Sequence, residues 1–115
     1  MSAKTDVFID VTAIAWEEMG GGIRRKILGY DPTMMMTVVD FTKGAVGAIH
    51  HHPHTQVTYV QRGSFEVEID GKKKILKAGD CFLIPSDVKH GVVALEDATL
   101  IDVFTPIRED FLQKK

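Results

Sequence analysis

Cysteine is nearly absent: Cys81 is the only one in 115 residues, which excludes an intramolecular disulfide framework and leaves nothing to indicate an oxidising compartment. Long hydrophobic runs are missing too. The apolar stretches last only a few residues, and the opening Met1-Ser2-Ala3-Lys4-Thr5-Asp6 has no signal-peptide core, so the expectation is a cytoplasmic protein with no membrane partner. A strong charge of either sign is also lacking, with 14 basic against 16 acidic residues and a formal net charge of −2. The densest basic runs, Arg24-Arg25-Lys26 and Lys72-Lys73-Lys74, hold three residues each, which argues against nucleic acid as a partner. What is present is a globular composition, 44% hydrophobic and 26% charged, in a length suited to one domain over residues 1–115, with residues 1–5 expected to be loose.

No segment before the last ten residues is long, helically periodic and free of breakers. Short runs rich in Val, Ile, Thr and Phe recur instead, separated by Gly, Pro or Asp-Gly, as in an antiparallel β sandwich or barrel. The clearest is residues 64–70, where Phe65, Val67 and Ile69 alternate with Ser64, Glu66 and Glu68. Asp70-Gly71 supplies a turn, and residues 72–76 return as the hairpin partner. Further strands are expected at residues 23–28, 35–41, 55–60, 81–84, 90–95 and 99–105, and a short terminal helix at 107–113 with Ile107, Phe111 and Leu112 on its apolar side. Met34-Met35-Met36 reads as strand and core filler, because neighbours in a strand point to opposite faces.

Four of the five histidines fall within residues 50–54. On a roughly extended chain His50, His52, His54 and Gln56 share one parity, and imidazoles on a common face can converge on a divalent ion, with a carboxamide oxygen as a weaker ligand. On composition alone a solvated polar loop fits equally well. The spacing Gly44-x5-His50-x-His52-x3-Gln56-x6-Gly63 resembles the first cupin motif, and Gly79-x5-Pro85-x-Asp87-x2-His90 resembles the second. The resemblance implies an all-β cupin barrel of jelly-roll type, with one divalent metal ion, whether Ni, Mn, Zn, Fe or Co, held by His50, His52, Gln56 and His90. Asp87 replaces the usual Gly, tolerable in a turn because Asp accepts left-handed backbone better than most residues. Ala94 stands where many cupins have Asn. Gln56 in place of Glu makes all four ligands neutral, so the ion would keep its full charge and favour an anionic substrate. His54 shares the parity of this set and is a competitor for the ion; His51 should face away.

Residues 99–105 form an apolar run interrupted by Asp102. A buried carboxylate costs several kcal/mol unless paired. Asp102 is therefore either fastened to Arg108 in an ion pair that secures the C-terminus, or kept for chemistry together with Phe104 on the same face. Trp16-Glu17-Glu18-Met19-Gly20, Gly22-Ile23-Arg24-Arg25-Lys26-Ile27-Leu28, the histidine run and Asp102-Val103-Phe104-Thr105-Pro106-x-Arg108-Glu109-Asp110-Phe111 resemble the small pectin-degradation cupins of the KdgF type over nearly the whole chain. That resemblance implies conversion of 4,5-unsaturated uronates, small anionic sugars released by pectate, oligogalacturonide and alginate lyases, into linear 5-keto-4-deoxyuronates without redox change. It places Asp102, Phe104 and Arg108 at the active site. The chemistry of these side chains then gives the expected roles: Asp102 as proton shuttle, Arg108 as a bidentate carboxylate clamp, and Phe104 packed on the sugar face or shaping the pocket. Arg24 and Arg25 point to opposite faces, so at most one reaches the cavity. A metal-dependent dioxygenase on another small molecule and a non-catalytic uronate-binding module are the competing functions. A homodimer is expected, since burying more surface helps so small a barrel.

Overall fold

The computed structural model describes residues 3–113. Ten strands account for most of them: β1 (Glu17–Gly20), β2 (Ile23–Asp31), β3 (Met34–Phe41), β4 (Val46–His50), β5 (Thr55–Arg62), β6 (Ser64–Ile69), β7 (Lys72–Lys77), β8 (Cys81–Ile84), β9 (His90–Ala94) and β10 (Ala98–Thr105). A 3-10 turn at Val11–Ala13 precedes them and a single helical turn, α1 (Glu109–Leu112), follows. The strands form two antiparallel sheets, a six-stranded one ordered β1-β2-β3-β10-β5-β8 and a four-stranded one ordered β4-β9-β6-β7.

Alternation decides which faces meet. Phe65 and Val67 of β6 point inward with Phe41, Val60, Phe82, Ile84 and Leu100, forming one apolar core in which the Phe41 and Phe65 rings meet edge to face at 5.1 Å. Met35 is fully buried while Met34 and Met36 are exposed, as period-two geometry requires. The β6–β7 turn has positive φ at both Asp70 and Gly71, 53° and 77°, the geometry of a two-residue hairpin. Asp87 also takes a positive φ, 62°, in the turn where the cupin motif usually has glycine.

Three expectations change. Residues 17–20 and 46–50, assigned no strand from the sequence, are β1 and β4; both run through glycine, which dilutes the apolar alternation. The terminal helix shortens to Glu109–Leu112 and leaves Ile107 buried ahead of it. The expected loose end is partly tied down: Thr5 exchanges backbone and side-chain hydrogen bonds with Tyr30, while residues 1–2 lie outside the described residues.

Candidate metal centre and its cavity

Both sheets contribute to one end of the barrel. Register pairs His50 of β4 with His90 of β9 in the four-stranded sheet, and Gln56 and Thr58 of β5 with Phe104 and Asp102 of β10 in the six-stranded sheet. His52 lies in the connection between β4 and β5. Close approach of β4 to β9 depends on Gly91, where an added Cβ would stand 2.8 Å from the Gly47 carbonyl oxygen. The three rings cluster with centroid separations of 4.4 Å (His50 to His90), 4.9 Å (His52 to His90) and 5.6 Å (His50 to His52), and one nitrogen from each lies within 4.8 Å of the others.

Backbone carbonyls set the tautomers. Nδ1 of His50 donates to Ala48 at 2.8 Å, Nδ1 of His90 to Val88 at 2.9 Å and Nδ1 of His52 to His54 at 3.1 Å. With the proton on Nδ1, each neutral ring presents a bare Nε2, the state in which imidazole ligates a metal. Burial lowers the His52 pKa, with the Arg108 charge adding to it, and burial pushes His90 down to about 4, so both rings are neutral near pH 7.

Two atoms among these residues lack a hydrogen-bonding solution. Nε2 of His90 is buried without a partner. Nε2 of His52, unprotonated in this tautomer, lies 3.0 Å from Oε1 of Gln56. The Gln56 amide is oriented by its other end, because Nε2 donates to Thr58 Oγ1 at 2.8 Å and to Asp102 Oδ1 at 3.3 Å. Two acceptors thus face each other at hydrogen-bonding distance, an arrangement that a cation relieves and that the lowered His52 pKa keeps a proton from relieving. The donor set therefore fits a divalent ion.

The cluster opens into a cavity of about 190 Å³, lined among others by His50, Gln56, His90, Asp102, Phe104, Arg108 and Phe111. That is below the range for drug-sized ligands, roughly 300–1,000 Å³, and suits one small ring. Asp102 is buried at the cavity wall, accepting from Thr58 Oγ1 at 2.6 Å and from Gln56. Burial raises its pKa, opposed by those two hydrogen bonds and by Arg108.

Arg108 does not make the ion pair that the sequence offered as one alternative. No ion pair joins it to Asp102; Nε and Nη2 instead grip Asp110 at 3.0 and 2.9 Å, and its guanidinium lies over the rings of Phe104 (5.0 Å) and Phe111 (4.2 Å). The fork edge expected to hold a substrate carboxylate is taken by Asp110, which leaves Nη1 and the outer hydrogen of Nη2. Asp110 follows too closely in sequence to have been read as a partner.

His54 packs edge-on against His52, ring centroids 5.5 Å apart, but is not among the three rings whose nitrogens converge. Its Nε2 donates to the Ile107 carbonyl at 3.1 Å, fastening the segment after β10, because β4 ends at His50 and strand parity does not continue through the bend at Pro53. His51 faces out toward Asp87. Arg25 turns to the Phe111 ring, 3.9 Å from its centroid, whereas Arg24 packs on Trp16 and pairs with Asp40. Sequence reasoning missed Thr58, fully buried between Gln56 and Asp102; its signal was the inward parity it shares with Gln56.

Residues 37–104 match the family model for the cupin domain. Pectin degradation protein KdgF of Dickeya dadantii (strain 3937) is 52% identical over 99 residues, covering 84% of this chain and 90% of the relative. Among solved structures, an RmlC-like cupin from Shewanella frigidimarina superposes with TM-score 0.91 at 42% identity, covering 94% of this chain and 97% of that one. KdgF from Halomonas sp. gives 0.88 at 43%, covering 93% and 99%. Together with the two sheets and the histidine cluster between them, these similarities make the chain a member of the cupin family, in its KdgF branch.

Proposed function

We propose that this protein converts 4,5-unsaturated uronates to linear 5-keto-4-deoxyuronates in the cytoplasm, with one divalent ion held by His50, His52, His90 and Gln56. The observation that carries the reading is the buried Asp102 carboxyl on the wall of a small cavity that is also lined by His50 and His90 of the three-histidine cluster and by Arg108. Support from kinship is the 52% identity to a protein of pectin degradation.

The substrate is a ring enol ether with a carboxylate on C5. Water adds across the double bond, hydrogen to C4 and hydroxyl to C5. The bond from C5 to the ring oxygen then breaks as the new hydroxyl gives up its proton and the ring oxygen takes one. The hydrated aldehyde left at C1 loses water, so the net change is an isomerisation without redox. When bound, the ion supplies Lewis acidity that orients substrate oxygens at the neutral ligand set. Asp102 moves protons between solvent-derived water and C4 or the ring oxygen, work worth about 10²- to 10⁴-fold in rate. Arg108 takes the carboxylate through the edge that Asp110 leaves open. Phe104 forms the floor on which the sugar and the guanidinium pack.

The test is incubation with an unsaturated monouronate, following loss of its enol-ether absorbance with and without chelator. Acceleration over the spontaneous reaction that chelator abolishes is expected. No acceleration with any divalent metal overturns the enzymatic reading, and oxygen consumption with Fe(II) would favour a dioxygenase instead. The same reading includes a homodimer, supported by exposed Met36, Val57, Tyr59 and Leu83 on the outer side of the six-stranded sheet, and light scattering in solution checks it.

A further inference from the structure

We propose that Thr58 is a positioning residue that turns the Gln56 side-chain amide so that its oxygen, and not its nitrogen, faces the imidazole cluster. This rests on the reading of Gln56 as a metal ligand. An amide in a ligand position poses a problem that a carboxylate does not. Its two ends are alike in shape, but only the oxygen has a lone pair to give.

The local hydrogen bonds decide between the ends. The Thr58 hydroxyl carries one hydrogen, and at 2.6 Å it goes to Asp102 Oδ1. The Thr58 oxygen is then left only as an acceptor, and the group 2.8 Å away must donate, which assigns that position to the Gln56 NH2. A flipped amide would set Oε1 against a hydroxyl whose hydrogen is spent and against Asp102 Oδ1, 3.3 Å away. Register builds the arrangement: Thr58 is the Cα partner of Asp102 across β5 and β10, and Gln56 lies two residues along the same inward face. Thr58 itself is fully buried, so water does not compete for its hydroxyl.

A force pulls the other way. Nε2 of His52, bare in the tautomer set by the His54 carbonyl, stands 3.0 Å from the Gln56 amide and would accept from an NH2 turned toward it. Without the Thr58 hydroxyl, the apo protein gains a donor for His52 by flipping Gln56. The remaining contact to Asp102, at 3.3 Å, is at the long end for a hydrogen bond and holds the amide weakly. The ion would then meet an NH2 and have to turn the amide back in order to bind.

Zinc titration of the metal-free protein, by calorimetry or chelator competition, reads this directly and needs no uronate assay. Thr58→Val should weaken zinc binding about 10-fold or more, the usual size for an orienting partner of a ligand, while Thr58→Ser should stay within about 3-fold of the original chain. Thr58→Ala, which lacks the hydroxyl and adds no bulk, should repeat the loss if the valine variant fails to fold. The discriminating arm is a Gln56→Ala background, where there is no amide to orient and the three imidazoles remain to hold zinc; there Thr58→Val should change affinity by less than about 3-fold. Unchanged affinity in Thr58→Val overturns the assignment alone, as does an equal loss in the Gln56→Ala background, which would mark a general structural role. An original chain that takes up no zinc overturns the ligand reading and this assignment with it.

Discussion

The inward face of β10 carries two different regions of the barrel on four alternate residues. Ala98 lies in the apolar core, Leu100 stands at the junction of core and cavity, and Asp102 and Phe104 line the cavity. β5 repeats the change in the opposite direction, from Gln56 at the cavity through the buried Thr58 to Val60 in the core. Backbone geometry is the same at both ends, so the contrast is purely one of side chains. The core end needs only volume and apolarity, whereas each polar group at the site end needs a partner at a stated distance. Pattern therefore specifies the first, and register specifies the second.

Inward positions at the two ends of the barrel should respond oppositely. Asp102→Ala is expected to slow uronate conversion about 10²- to 10⁴-fold. The fold and bound metal should remain, because three imidazoles still hold the ion. Phe65→Ala, fully buried in the core and away from the cavity lining, should destabilise the protein by about 3–5 kcal/mol through the space it leaves. Activity per folded molecule should hardly change. Denaturant melts and progress curves on both variants check the pair; an Asp102→Ala protein with full activity breaks the division and removes the proton-shuttle role.

Arg108 tests the boundary between the regions, since its charge acts in the cavity while Asp110 grips its fork. Arg108→Lys keeps the charge but cannot bind Asp110 and a substrate carboxylate in one plane. KM should rise about 10- to 100-fold, the worth of one or two charge-assisted hydrogen bonds, with a smaller effect on kcat. An equal loss in both would place Arg108 in the proton-transfer step.

The site end should also titrate where the core end cannot. His90 falls from an ordinary 6.5 to about 4, chiefly through burial, and His52 is lowered for the same first reason. A histidine with a depressed folded pKa binds its proton more readily in the unfolded chain. Its stabilising contribution is present above about 6.5 and is lost as pH falls toward 4. Asp102, raised by burial, works in the opposite sense, losing stability as pH rises above its ordinary 3.8. The metal-free protein should therefore lose thermal stability between pH 6.5 and 4.5, and bound zinc should move that loss to lower pH by holding the rings unprotonated.

How legible each region was from sequence follows the same contrast. Alternation in residues 64–70 and the Asp70-Gly71 turn located β6 and β7 because apolar burial on one face leaves a period-two record. Motif spacing brought His50, His52 and His90 together in the reading, and the structure groups those three. Asp102 and Phe104 were assigned one face correctly from parity. Parity failed at His54, where the chain is no longer a strand, and it could not show that Arg108 would take Asp110, two residues away, in preference to Asp102. Thr58 was passed over because a threonine in a strand is ordinary; its role lies in where its single hydrogen points, which depends on the β5–β10 register.

The smallest contrast lies inside the histidine run. His51 and His54 were both left outside the proposed ligand set, but the structure gives them unequal work. His54 donates to the Ile107 carbonyl and so ties the loop carrying His52 to the segment carrying Arg108. Truncation to Ala should cost about 1 kcal/mol, the net worth of one hydrogen bond, with some loss of activity as Arg108 loosens. His51 is exposed, with Asp87 3.6 Å away and equally exposed, and an ion pair of that kind contributes close to nothing. His51→Ala should leave stability within about 0.5 kcal/mol and zinc affinity unchanged. If His51→Ala weakened zinc binding and His54→Ala did not, the division of the run into ligands, fastener and surface would have to be redrawn, because one rotation of the chain between His50 and Gln56 exchanges which rings face the ion.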